Sequence, residues 1–160
     1  MSHTDLIERL YEGLRTLDGD TMADCYTSEA RFEDPAFGEL TGERIGGMWR
    51  MLTSGSDGIE VDLSDVIIKG DEGSAHWVAR YKFGATGRSV VNRATARYRF
   101  DGELIDEHID TFSFHSWSRQ ALGPAGLLFG WTPILRNKVR SQALSNLDRF
   151  LARASEADDA

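Results

Sequence analysis

The stretch Ala30-Arg31-Phe32-Glu33-Asp34-Pro35 reads as a short strand that ends in an acid and is stopped by proline. Proline has no N–H for a sheet ladder and holds the residue before it extended, so Asp34 stands where pairing ends and the chain bends away. A carboxylate in that position has two uses. It can bond its own turn, as strand-end Asp residues commonly do, or it can face a pocket beside the sheet.

On the amino-terminal side of this strand, Leu6, Ile7, Leu10, Tyr11, Leu14 and Leu17 recur at helical spacing, with Thr4 as the expected cap. A break at Asp18-Gly19-Asp20 leads to a short second helix through Met22, Cys25 and Tyr26. Beyond the strand, Ile45, Met48, Trp49 and Leu52 mark a third helix, closed by Ser54 to Gly58.

The period then changes to two. Ile59, Val61 and Leu63 alternate, and Val66 and Ile68 resume in the opposite phase, which predicts a bulge at Ser64 or Asp65. Trp77, Ala79, Tyr81 and Phe83 form one face of the next strand, and Asn92, Ala94, Ala96, Tyr98 and Phe100 one face of a third. After the hairpin signal Asp101-Gly102, a fourth strand is expected to carry Leu104, Asp106, His108, Asp110, Phe112 and Phe114 on one face. Helices followed by a meander of long strands read as α+β, with helices packed on one face of a bent sheet.

Composition narrows the function classes. A chain of 160 residues that is 41% hydrophobic fits one domain with a sizeable core. Its net charge of −8 argues against a nucleic-acid surface, and Arg93, Arg97 and Arg99 read as the outward face of a strand. The single cysteine, Cys25, excludes an internal disulfide framework and points to a reducing compartment. No basic segment followed by an apolar run opens the chain, so no signal peptide is expected, and the expected location is cytoplasmic. Leu122 to Leu135 is too short to span a bilayer and is broken by Gly and Pro, so no transmembrane segment is expected.

The carboxy-terminal region exceeds what the helices and strands above require. Thr132-Pro133 supplies a cap and a first-turn proline, and Leu135, Val139, Ala143, Leu147, Phe150 and Leu151 form the stripe of a final helix. Arg136, Lys138 and Arg140 cluster at its start. The plainer reading is a helix covering the sheet or the mouth of the pocket; the other is a basic amphipathic helix lying on a membrane surface.

The order of elements, the Ala-Arg-Phe-Glu-Asp-Pro strand end, Gly42 opening the third helix and the Asp-Gly-Glu-Leu-Ile-Asp-Glu-His-Ile-Asp hairpin together resemble the nuclear transport factor 2-like superfamily. Within it the chain is most similar to ketosteroid isomerases and SnoaL-like polyketide cyclases. The resemblance runs from about Asp5 to Phe114. It implies a curved antiparallel sheet forming a cone-shaped barrel, amino-terminal helices enclosing a pocket, and here an extra carboxy-terminal helix. The expected division is a cone domain over 1–116, a helical extension packed on it over 117–154, and a tail over 155–160. Such proteins commonly form homodimers through the outer face of the sheet. The aromatic and β-branched content of the strands, more than one helix layer covers, fits that expectation.

Carried over residue by residue, Asp34 matches the isomerase general base and Tyr11 falls near the tyrosine that donates to the developing oxyanion. The isomerase's second oxyanion donor, an acid, is replaced here by Ala96, which leaves that mechanism incomplete. His108 and Asp110 sit where SnoaL-like proteins show a polar pair pointing into the cone, and Asp110 resembles the cyclase acid. Two residues apart on one strand, they face the same way, so the acid could hold the imidazole in one orientation. Equally, the pair could simply satisfy itself in a half-polar core. Tyr26, Trp49, Trp77, Tyr81, Asn92 and Phe112 are the expected pocket wall. A carboxylate held among aromatic side chains loses hydration, which favours its neutral form and makes it a useful proton carrier. No cofactor is implied, and no metal, since His-x-Asp supplies two ligands with no third at recognisable spacing.

Two function classes follow. One is an enzyme of the isomerase, cyclase or dehydratase type, moving protons on an apolar carbonyl or cyclic substrate. The other is a noncatalytic ligand-binding or dimerisation module of the same fold. Epoxide opening is a third option; it would need an Asp-Arg-Asp arrangement that strand parity does not provide, because Arg93 and Arg97 face away from Asn92 and Ala96.

Overall fold

The computed structural model describes residues Met1–Ala160. In chain order the elements are α1 (His3–Arg15), α2 (Gly19–Ala23), β1 (Tyr26–Asp34), β2 (Gly38–Thr41), α3 (Glu43–Ser54), β3 (Ile59–Lys69), β4 (Glu72–Lys82), β5 (Ser89–Asp101), β6 (Leu104–Thr111), α4 (Phe114–Leu122), α5 (Pro124–Phe129) and α6 (Pro133–Asp158). This is the expected α+β class. The six strands form one curled sheet in the order β2-β1-β6-β5-β4-β3, which is not closed into a barrel. It is mixed, because β1 lies parallel to β6 while every other pair is antiparallel.

The first helix starts two residues earlier than its apolar pattern suggests. Ser2, not Thr4, is the cap: its side chain accepts from the Asp5 N–H, and the Asp5 carboxylate accepts from the Ser2 N–H. Leu6, Ile7, Leu10, Tyr11 and Leu14 are buried from the opposite side of that helix. At the β1–β2 turn, Gly38 adopts a φ of +73° and pairs with Asp34, closing a hairpin whose short second strand the sequence pattern does not reveal.

Two irregularities set which residues face inward. In β3 the register shifts between Ser64 and Ile67, with Asp65 at φ 53°, so Val61 and Leu63 on one side and Val66 and Ile68 on the other all reach the core. In the β5–β6 ladder a second shift falls between Arg99 and Phe100, where Phe100 pairs with Ile105 and Arg99 with Glu107. That bulge corrects the expected parity of β6. Ile105 rather than Leu104 or Asp106 is buried, and Asp106 turns out to Arg99 (2.8 Å) and Thr27 (3.1 Å). The strand ends at Thr111, so Phe114 belongs to α4.

β5 runs on past the end of β6, and α4 takes the place of a partner strand. The Gln120 side chain accepts from the Val91 N–H (2.8 Å) and donates to the Val91 carbonyl (3.1 Å), satisfying an edge that would otherwise be open. Phe114 and Trp117 of α4 bury against Val90, with Phe83 and Phe112 beside them.

α6 lies as a strap over the same side of the molecule. Near its start Arg136 stacks over the Phe114 ring at 5.4 Å and Val139 joins the α4 cluster. Arg140 then rests on Gly38, and Leu147 and Leu151 rest on Gly47 of α3, where a β-carbon would come within 2.6 Å of Leu151. Only Leu147 of the expected stripe is fully enclosed; Ala143, Leu144 and Leu151 pack against the core from partly open positions.

The aromatic residues on which the dimer expectation leaned face inward, and the outer face of the sheet carries Arg80, Arg93, Arg97, Arg99, Glu60 and Asp62. The His3 ring stacks on Phe100 at 4.1 Å and bonds the Gly102 carbonyl.

Candidate functional site

Residues from α1, α3 and β1, β4, β5 and β6 meet on the inner face of the sheet. His108 and Asp110 are buried there, at 1% and 4% exposure, and anchor a chain of hydrogen bonds. The Trp49 indole N–H donates to the Tyr26 hydroxyl (3.1 Å), and that hydroxyl meets His108 Nδ1 at 2.8 Å. His108 Nε2 lies 2.9 Å from Asp110 Oδ1, which also accepts from the Trp77 indole N–H at 3.1 Å. An indole is a donor only and a carboxylate an acceptor only, so Trp49 donates to Tyr26 and His108 Nε2–H donates to Asp110. Both imidazole nitrogens are thereby used within the protein.

The cross-strand neighbours of Asp110 are small. Across the ladder it faces Ala96, which in turn faces Ala75, and Trp77 faces Ala94. Its second oxygen, Oδ2, makes no hydrogen bond to the protein and is not sealed off, since Arg140 Nε is the sole enclosed side-chain N or O atom without a partner.

Beside this chain, the hydroxyls of Tyr11 and Tyr98 bond each other in a buried contact. Burial is the main cause that holds both phenols well above their ordinary pKa, and the charge of Asp110 adds to it, so both keep their protons. Two hydroxyls that share one bond use one hydrogen; the other is free to donate elsewhere. Tyr98 also packs on His108 with ring centres 4.6 Å apart.

Asp34 takes the first of its two possible roles, and its carboxyl is also partly buried. Its Oδ1 accepts from the backbone N–H groups of Ala36 (2.9 Å) and Phe37 (2.6 Å), bonding its own turn. At the same time the half-buried carboxyl is pushed up to about 7, first by burial, then by the charge of Asp110, against the pull of the Phe37 and Ala36 N–H groups and of His108. Asp34, Asp110 and His108 therefore act on one another electrostatically. Oδ2 of Asp34 also has no partner.

The remaining expected wall residues separate into two groups. Trp77, Tyr26 and Trp49 belong to the hydrogen-bond chain. Tyr81 lies near Asp34, whose charge helps raise its pKa after the larger effect of burial, and its hydroxyl accepts from Trp117 Nε1 at 2.9 Å. Phe112 bridges the two apolar clusters. Asn92 is buried on the inner side of β5 and makes no side-chain hydrogen bond. Tyr98 joins the site from the inward face of β5 that its parity predicts, whereas Trp117 and the turn N–H groups come in only through the packing of α4 and the hairpin. No three His, Cys, Asp or Glu side chains stand close enough to share a metal ion.

A model of the SnoaL-like domain matches residues 7–108. No protein of curated function matches the sequence. Among solved structures, a hypothetical protein with a ketosteroid isomerase-like fold from Catenulispora acidiphila, in complex with trimethylamine, shares 21% identity at a TM-score of 0.66, over 80% of this chain and 97% of that one. An epoxide hydrolase from M. tuberculosis, of the LEH-like kind, shares 19% at 0.64, over 79% and 92%. A protein from Jannaschia described as a SnoaL-like polyketide cyclase shares 14% at 0.65, over 76% and 92%. At these identities the likeness is one of fold. With the family match spanning more than half of its length, the chain belongs to the SnoaL-like domain family of the nuclear transport factor 2-like superfamily.

Proposed function

We propose that this chain is a small-molecule enzyme that moves a proton on an apolar carbonyl or cyclic substrate held against the inner face of the sheet. The observation that carries the reading is Asp34: one oxygen is fixed by two backbone N–H groups, the other is free, and the carboxyl is pushed up to about 7. A base works best when its pKa lies near the operating pH. In the proposed step the free oxygen of Asp34 takes a proton from the carbon beside a carbonyl. The C–H bonding pair moves into the new C–C double bond and the carbonyl pair onto oxygen, forming an enolate. Returning the proton at another carbon completes an isomerisation; bond formation or loss of a leaving group at the carbon framework completes a cyclisation or dehydration.

The enolate oxygen needs a donor, and the spare hydrogen of the Tyr11–Tyr98 pair is the proposed one. The acid missing at Ala96 has a counterpart directly across the ladder in Asp110, which supports a role for its free oxygen as the second proton carrier, with His108 holding it in place. Trp77, Tyr81, Asn92 and Phe112 would wall the substrate. The proposal further includes a cytoplasmic setting and a homodimer joined through the outer sheet face, where Val78, Val91 and Ile109 lie among the arginines.

One observation favours the noncatalytic reading: both His108 nitrogens are already satisfied within the protein. Epoxide opening through an acid–arginine–acid set gains no support from the strands, whose arginines lie on the outer face. The test is turnover of a panel of ketosteroids, polyketide-like aromatics and epoxides by the chain and by Asp34→Asn. Turnover that disappears in the variant while ligand binding persists supports the enzyme. Binding without turnover in the unaltered chain transfers the site to the noncatalytic module.

A further inference from the structure

The segment from α5 to the start of α6 is inverted relative to an ordinary surface helix. Its inner side is glycine. A β-carbon on Gly126 would lie 1.9 Å from the Ser118 carbonyl oxygen, and one on Gly130 would lie 2.1 Å from Ser118 Oγ, so α5 sits backbone against α4. Its large apolar side chains consequently point out: Leu127, Leu128, Phe129, Trp131 and Ile134 are 53%, 62%, 56%, 72% and 82% exposed. Neighbouring exposed apolar side chains of this size, gathered in one corner, mark an interaction surface on a soluble domain. The Trp131 indole N–H is already satisfied by the Leu128 carbonyl at 3.0 Å, which lets the ring enter an apolar medium without stranding a donor.

Charge selects the partner. Between Asp110 and Asp148 the sequence contains no Asp or Glu but has Arg119, Arg136, Lys138 and Arg140, although the whole chain carries −8. Arg119, Arg136 and Lys138 are exposed around the apolar corner. Lys138 follows Ile134 by four residues and so shares its face of α6. A second copy seated on this corner through a two-fold axis would bring the same cations together, which disfavours self-association there. A surface of acyl chains beneath anionic headgroups answers both halves of the patch, since apolar side chains enter it and each nearby base adds attraction.

We propose that the α5–α6 corner is a docking surface for an anionic lipid bilayer. The stripe of α6 that the sequence offered for this purpose is occupied by α3 and the core; the lipid-facing part is the corner before it. No helix is long and apolar enough to cross a membrane, so the contact is peripheral. It is independent of any activity at Asp34.

The test is co-sedimentation of the full chain with vesicles of phosphatidylcholine alone and with about 30% phosphatidylglycerol, at low and high salt. Binding to the anionic vesicles is expected, at least about tenfold weaker on neutral ones, and weakened by salt. Trp131 is the exposed tryptophan, so its emission should shift to shorter wavelength on binding. The double variant Trp131→Ser/Ile134→Ser should lose binding about tenfold or more with an unchanged melting temperature, and Arg136→Gln/Lys138→Gln should weaken binding to anionic vesicles only. Absence of binding to anionic vesicles overturns the proposal, as does unchanged binding by the apolar double variant. A fall from dimer to monomer mass in that variant would instead identify the corner as a self-interface and also overturn it.

Discussion

Asp34 and Asp110 are held in the same manner from different strands: each gives Oδ1 to two N–H donors and leaves Oδ2 without a partner. For Asp34 the donors are the Ala36 and Phe37 backbone; for Asp110 they are the His108 and Trp77 rings. The hydrogen bonds fix the carboxylates, and the charge of Asp110 helps raise the pKa of Asp34.

The Asp34→Asn variant separates these roles. Its amide oxygen can still accept from the turn, so the fold should persist, while the proton acceptor is lost and turnover should fall by about a hundredfold or more. Asp34 holds its proton more tightly when folded, at about 7 against an ordinary 3.8, so stability falls as pH rises through that window and is flat above it. Asparagine carries no such charge. The variant should therefore gain on the order of 2 kcal/mol relative to the unaltered chain at pH 8 after allowance for solvent screening, and nothing below pH ~4. Melting curves at the two ends of the range check this.

On the proposed enzyme reading, turnover by the unaltered chain should rise with pH through about 7 as Asp34 ionises. A rate that stays flat from pH 5 to 8 would remove Asp34 as the base; both limits are about one to two units from its pKa.

In Asp110→Asn, the Asp34 carboxyl should titrate at a lower pH, because a charge that raises it has gone. NMR of the Asp34 carboxyl measures this without a substrate. An unchanged titration would mean that the two acids do not share a field.

Removing one hydroxyl from the buried chain should be costly. Tyr26→Phe leaves the Trp49 N–H and His108 Nδ1 unmatched, for about 1–3 kcal/mol of lost stability in denaturant unfolding. An unaltered midpoint would show that the chain contributes nothing to the fold.

Leu147→Ala should cost about 2–5 kcal/mol, since its fully buried side chain joins α6 to α3 at Gly47. Deletion of everything after Ser116 should do more, uncovering Phe114 and Val90 and lowering solubility. A truncated chain that melts at the original temperature and stays monodisperse would make α6 a detachable appendage.

Light scattering tests the proposed homodimer. A dimer mass at micromolar concentration, unchanged in Trp131→Ser/Ile134→Ser, is expected of an interface on the outer sheet face; a monomer mass at all practical concentrations rejects it.

Much of this was legible in the chain. Helical spacing from Leu6 to Leu14, alternation along β5 and the strand stop at Pro35 follow from local geometry, because helices repeat every 3.6 residues and strands every two. The phase reversal that marks the β3 bulge is equally local. The shared inward face of His108 and Asp110 could be read from their two-residue spacing.

Other features depend on contacts between distant segments. The β6 bulge moves Asp106 outward because it pairs with Arg99 and Thr27, partners that no pattern within β6 announces. The short β2 exists because the Asp34–Gly38 turn folds it onto β1. Asp110 comes to lie opposite Ala96 only through the β5–β6 register, and Tyr11 meets Tyr98 only when α1 docks on the sheet. The sequence by itself determined the first and third helices, the final helix, the long strands and the candidate acids, since those rest on periodicity and backbone constraint. Tertiary structure decided which acids keep an open oxygen, how far burial raises Asp34 and which apolar side chains are left outside at the α5–α6 corner, because desolvation, register and packing arise only when separate elements meet.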